Sequence, residues 1–230
     1  FFGEGPLATA ALAENDRIAP GVRMDRAVCV FDGLYLVIDL LRSESPHTYD
    51  WWFHGVPDKA GGAKGVAAEF RPRTEPLGTT DGYQMVGDLS SARISGDLSC
   101  EWPMPTGGKP ESLTLSALVL NDAPMEAVHG FEWSYQYTKR EKEFIVLRRE
   151  QARNADFVVF LEPRPGASKL TGARRIAVTA PDGTPVADAA GVAFTLAGRR
   201  MEVIVNPGGA EVKTASGPSR ARVFIARSEE

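Results

Sequence analysis

Arg26-Ala-Val-Cys-Val-Phe-Asp-Gly-Leu-Tyr-Leu-Val-Ile-Asp-Leu-Leu41 is the stretch that decides the fold class. In its first half Val28 and Val30 point one way, and Ala27, Cys29 and Phe31 the other, which is the period-two pattern of a strand. Asp32-Gly33 is a residue pair favoured in two-residue type I′ hairpins. Leu34 to Leu41 then returns as a nearly unbroken apolar run, which predicts a central strand covered on both faces.

The same habit recurs along the chain. Strands are expected at Asp50–His54, Val66–Phe70, Tyr83–Leu89, Ala92–Trp102 and Ser112–Leu120. In the second half they are expected at Phe131–Tyr137, Phe144–Arg149, Asp156–Leu161, Arg175–Thr179, Val192–Leu196, Met201–Val205 and Arg222–Ala226. Asp182-Gly183 and Ala197-Gly198 mark turns, and the glycines of Ala60–Gly65 mark a loop. Helical periodicity is nearly absent, and only the Ala-rich Pro6–Asp16 is expected to form a short helix. The fold class that follows is all-β, an antiparallel multi-stranded β-sandwich. Residues 1–230 are expected to make a single domain, with a candidate sub-boundary near residues 163–170.

Composition narrows the function classes. The 230 residues carry a net charge of −4, and their basic residues are not gathered into a stripe, so no nucleic-acid partner is expected. No apolar run reaches the roughly 18 residues of a membrane-spanning helix, so no membrane partner is expected either. Arg148-Arg149, Arg174-Arg175 and Arg199-Arg200 read as solvated strand ends, with an anionic ligand as the sharper alternative. Cys29 and Cys100 both fall in strand-like runs and read as two buried thiols, a single bridge being the alternative in an exported protein. The chain opens Phe-Phe-Gly-Glu with neither an initiator Met nor a signal-peptide pattern, as expected of a piece of a longer chain or a processed form.

Two constellations are candidates for chemistry. In Ser45–Gly55, alternate residues of a strand share a face, so Asp50, Trp52 and His54 align on one side and Tyr49, Trp51 and Phe53 on the other. The second set is the more apolar and is expected to face the core. An indole beside an acid and an imidazole suits a sugar: the ring stacks on Trp52 and the polar groups bind hydroxyls. His54 also has the chemistry of a proton shuttle. The competing reading is a covered face, with Asp50 and His54 paired to each other or to backbone. The second constellation is Phe131, Trp133, Tyr135 and Tyr137 at strict i, i+2 spacing, which is either core or a glycan-binding ladder, with Trp133 and Tyr135 as its binding candidates. His129 beside it reads as structural. Metal ligation by His47 and His54 with Asp39 or Asp50 is a minor alternative, but their spacings match no template, and no phosphate loop, nucleophile elbow or dinucleotide fingerprint occurs, so no metal and no cofactor is assigned.

Two blocks together resemble a known family. Arg26–Asp39 leads into His47-Thr-Tyr-Asp-Trp-Trp-Phe-His-Gly55, and Lys142-Glu-Phe-Ile-Val-Leu-Arg-Arg149 is followed by Ala155-Asp-Phe-Val-Val-Phe-Leu-Glu-Pro163. In this order they resemble the β-sheet domain of heparinase II/III-like polysaccharide lyases. The resemblance implies an N-terminal catalytic α/α toroid, absent from this chain, followed by an antiparallel β-sandwich. It also implies cleavage of uronic-acid glycans by β-elimination, with an acidic polysaccharide (a glycosaminoglycan or alginate) as partner and a bacterial, periplasmic or extracellular setting. The family's His-rich segment joining toroid to sheet is missing, so catalytic residues and metal ligands are not carried over. Only Tyr49, Asp50 and His54 match a family-like block. The expected function is thus the C-terminal, non-catalytic sandwich of such a lyase, supporting its substrate cleft. The alternatives are a stand-alone carbohydrate-binding module or a purely structural one.

Overall fold

The computed structural model describes residues 2–54, 68–80, 82–104, 113–133 and 141–227. In chain order the strands are β1 (Phe2–Glu4), β2 (Thr9–Ala19), β3 (Val22–Phe31), β4 (Leu34–His54), β5 (Arg71–Pro72), β6 (Val86–Ile94), β7 (Leu98–Met104) and β8 (Leu113–Leu120). They continue with β9 (Met125–Trp133), β10 (Glu141–Arg164), β11 (Leu170–Ile176), β12 (Ala190–Leu196), β13 (Arg199–Val205), β14 (Val212–Thr214), β15 (Gly217–Ser219) and β16 (Val223–Arg227). A single 3-10 turn, Tyr83–Met85, is the only helical element among the described residues. The fold is all-β, built of antiparallel sheets.

The chain forms two compact units. The first takes Phe1–Pro46, Arg153–Glu162 and Ala167–Glu230; the second takes His47–Ala152 and Pro163–Gly166. Strands β4 and β10 contribute residues to both.

In the first unit β1, β2, β3 and β4 pair in order, and β11, β12, β13 and β16 form a second sheet. The opening hairpin explains why. Ala27, Cys29 and Phe31 of β3 and Leu34, Leu36 and Ile38 of β4 all turn to one buried face. Phe31 and Phe160 both meet Phe194 of β12 edge-on, at 5.4 and 5.0 Å between ring centroids, so one sheet is laid on the other as a sandwich. The apolar run of β4 is not covered on both faces throughout. Tyr35 is 42% exposed and Val37 half-buried, and only from Ile38 to Leu41 are consecutive residues all buried. Buried Asp39 is held by Arg26, its cross-strand neighbour, through Nε and Nη2, both at 2.6 Å.

Several local expectations are corrected. Pro6–Asp16 is not helical: from Thr9 to Asn15 β2 pairs with β3, and Ala10 and Leu12 enter the core at strand spacing. Ladder bonds and burial outweigh alanine's helix propensity there. Asp50–His54 is not a separate strand but the end of the 21-residue β4. Phe144–Arg149 and Asp156–Leu161 likewise belong to the single 24-residue β10. Ala92–Trp102 is two strands, β6 and β7, separated by a turn. In the Asp32-Gly33 turn only Gly33 has a positive φ (72°), so it is not type I′, which needs both. That pattern occurs instead at Ala197-Gly198, with φ of 49° and 79°. The Ala60–Gly65 loop and the 66–67 end of the Val66–Phe70 strand lie outside the described residues, and Ala68 to Phe70 are not strand. Both cysteines are free and buried, as expected.

Candidate functional site

The candidate residues lie in the second unit, where β10, β9, β6 and β5 are successive neighbours. Register decides which of their side chains meet. Arg148 of β10 is opposite Glu126 of β9, and Glu126 is opposite Arg93 of β6. Opposed residues share a face, so these three make one transverse row. The next row on that face is Ser91, Val128 and Val146. Phe144 lies one step further along, and Val128, Phe144, Val146 and Leu77 form a buried cluster.

Asp50, Trp52 and His54 line this same face from β4, so the sequence grouped them correctly. Their environments differ sharply. Asp50 does not face solvent. Its carboxylate accepts from Arg148 Nε (2.8 Å) and Nη2 (2.6 Å) and from the Tyr83 hydroxyl (2.5 Å). Arg148 Nη2 also donates to the Leu77 carbonyl at 2.9 Å. Bidentate pairing at these lengths is the strong form of a charge-assisted bond. It keeps the Arg148 guanidinium more basic than usual, chiefly through the bonds to Asp50. The Tyr83 phenol is pushed above its ordinary value, first by desolvation and then by its bond to Asp50. A group so engaged is a brace rather than a free acid or base.

Trp52 is half-buried, packed against Phe144 at 5.0 Å and Tyr83 at 5.7 Å between centroids. His54 is the open end of the row. Its side chain is 46% exposed, its ring stacks on Trp52 at 5.8 Å, and its Nδ1 lies 3.2 Å from Glu132 Oε1. A carboxylate at Nδ1 leaves Nε2 available to a ligand. His54 is therefore paired with Glu132, not with Asp50. On the opposite face Tyr49 is buried and Phe53 packs on buried Trp102 at 4.7 Å, which is the inward orientation expected for that set.

The second constellation divides. Phe131 is half-buried against His129, and Trp133 closes β9 opposite Glu141, while Tyr135 and Tyr137 lie outside the described residues. His129 is not solitary: its Nε2 is 2.5 Å from Oε1 of buried Glu143. Arg148 and Arg149 are not solvated strand ends. Both are buried, Arg148 on Asp50 and Arg149 on Asn121 and Asp122. Buried guanidinium groups need such partners. Tyr83, Glu132, Arg93 and Glu126 were not singled out from the sequence; nothing in their local pattern marks them, because strand register places the last three and a 3-10 turn places Tyr83.

No family model matches this chain, and no curated protein matches it. Solved structures do. A heparinase III, the BT4657 gene product, shares 9% identity over 89% of this chain and 26% of its own, with a TM-score of 0.55. The same protein with methylated lysines gives 8% identity, the same coverages and a TM-score of 0.56. The heparan sulfate lyase HepC from Pedobacter heparinus gives 13% identity, 89% and 27% coverage and a TM-score of 0.45. The chain thus spans about a quarter of the length of these lyases. The likeness to heparinase III is one of fold: nine-tenths of this chain shares the architecture of part of that enzyme, as the two sequence blocks led us to expect.

Proposed function

We propose that this chain is the C-terminal β-sandwich portion of a heparinase II/III-like polysaccharide lyase, whose whole cleaves uronic-acid glycans by β-elimination. The observation that carries this reading is the fold shared with heparinase III over 89% of the chain. On its own the chain is non-catalytic. Two of its buried or half-buried acids are engaged internally: Asp50 by Arg148 and Tyr83 on one face of the sheet, and Glu143 by His129 on the other. Its role is to support the sheet side of the cleft next to an N-terminal α/α domain and to help hold an acidic polysaccharide. Trp52 and His54 are the substrate contacts this reading favours, since the indole and the open Nε2 of the imidazole lie side by side. Trp133 and Tyr135 remain secondary candidates. A periplasmic or extracellular setting follows from such a substrate.

The test compares this chain with the full-length protein on uronate polymers, following the unsaturated product by ultraviolet absorbance. The expected result is turnover by the full-length protein and none by the chain alone. Turnover by the isolated chain sinks the non-catalytic assignment, and no turnover by the full-length protein on any uronate polymer sinks the lyase reading. A stand-alone carbohydrate-binding module is the second reading, favoured by the Trp52–His54 stack. It predicts glycan-dependent quenching of tryptophan fluorescence with no lyase activity in any longer form.

A further inference from the structure

The strip of β6 that carries Ser91 and Arg93 separates two hollows in the second unit. One, of about 530 Å3, also takes in Arg73, Glu126, Arg148 and Glu150. The other, of about 500 Å3, continues past Ser91 and Arg93 to Arg71 and Asp97. Each is within the roughly 300–1,000 Å3 of small-molecule sites. Together they form a run with Arg93 at its junction, a shape suited to consecutive units of a polymer.

The charges in this run are largely spoken for. Arg73 Nη1 is 2.5 Å from Glu126 Oε1, Arg148 holds Asp50, and Arg71 is 3.7 Å from Glu69. Asp97 accepts the Asn121 backbone N–H. Two groups are left over. Arg93 and Glu150 are exposed, and neither has an ion-pair partner among the described residues. A guanidinium is a planar fork matched to a carboxylate, and a lone carboxylate lining the same hollow accepts from hydroxyl groups. Ser91 adds a hydroxyl on the same face, two residues from Arg93.

We infer that this groove is a subsite for a uronate-bearing sugar chain, with Arg93 taking the sugar carboxylate and Glu150 accepting from sugar hydroxyls. The inference rests on the lyase reading for its ligand class, but its residues are separate from Trp52 and His54. The balanced charge of the groove supports a sugar carrying one carboxylate and free hydroxyls over a densely charged one, because Glu150 repels a second anion.

The test is calorimetric binding of three tetrasaccharides to this chain: an unsulfated alternating glucuronate–N-acetylglucosamine, its carboxyl-reduced form, and a fully neutral chitin fragment. The wild-type chain should bind the first, and Arg93→Gln and Glu150→Gln should each weaken that binding at least tenfold. Both positions are exposed, so circular dichroism should show an unchanged fold. Equal binding of the carboxyl-reduced form, equal binding by Arg93→Gln, or no binding by the wild type overturns the inference. The two claims fail separately. Lyase activity in the full-length protein that is indifferent to Arg93→Gln removes only the groove. Arg93-dependent binding without any unsaturated product removes only the lyase.

Discussion

Arg148 grips Asp50 with two nitrogens, and each of the two side chains is only 6% exposed. Removing one member of a buried ion pair leaves the other charge without compensation. Asp50→Ala is therefore expected to cost about 3–5 kcal/mol. Replacing both residues with apolar ones, as in Asp50→Leu with Arg148→Met, should recover most of the loss. Urea denaturation midpoints of the two single variants and the double variant check this. Additive losses in the double variant would contradict the pairing.

Tyr83 is the third member of that cluster and gives it a pH signature. Its phenol titrates higher in the folded chain than in the unfolded one, so its contribution to stability is complete below the ordinary phenol value of 10.0. The contribution is lost as pH rises from there through the folded value. Alkaline unfolding should show this loss, and Tyr83→Phe should abolish that part of the pH dependence. At neutral pH the same variant should cost ~1.5–3 kcal/mol for the lost hydrogen bond to a charged acceptor.

Gly130 is a packing requirement. A Cβ there would stand 2.7 Å from Leu89 Cδ2, 2.8 Å from Phe144 Cζ and 2.9 Å from the Gly87 carbonyl oxygen. Gly130→Ala should destabilise by about 1–3 kcal/mol through overpacking. Gly87→Ala is the control, since nothing lies within 4 Å of its added Cβ. Thermal unfolding of the two variants should separate them clearly.

The two thiols should be silent in the native chain. Cys29 is 0% and Cys100 3% exposed, and burial pushes both up to about 12, with the charges of Glu143 and Glu101 adding to the effect at Cys100. Colorimetric thiol titration at neutral pH should find neither until the chain unfolds, and then both. Because both values are raised on folding, the stability they contribute is lost as pH climbs from about 9 towards 12. Rapid native-state labelling of either thiol would contradict this.

The opening hairpin was legible because its apolar residues fall on the period of the structure they build. Ala27, Cys29 and Phe31 are as buried as their alternation demands. The Ala-rich start was misread because alanine states a local preference that pairing with β3 overrides. The shared face of Asp50, Trp52 and His54 follows from spacing alone. The partner that fixes Asp50 stands 98 residues away, and no local pattern reports such a distance. Arg93 is the extreme case: it lies opposite Glu126 only because β6 and β9 adopt one register among several.

The first unit is made of three separated pieces of chain, and that has a consequence for synthesis. Its leading strands emerge early, but Arg42 cannot reach Asp188 until 146 further residues have been made. Phe31 must wait longer still for Phe194. Until then the nascent hairpin holds Leu34, Leu36 and Ile38 against nothing, an apolar face open to chaperones and to neighbouring chains. Such long-range closure favours slow folding, and a ribosome-stalled or prematurely terminated product should be more prone to aggregation than the finished chain.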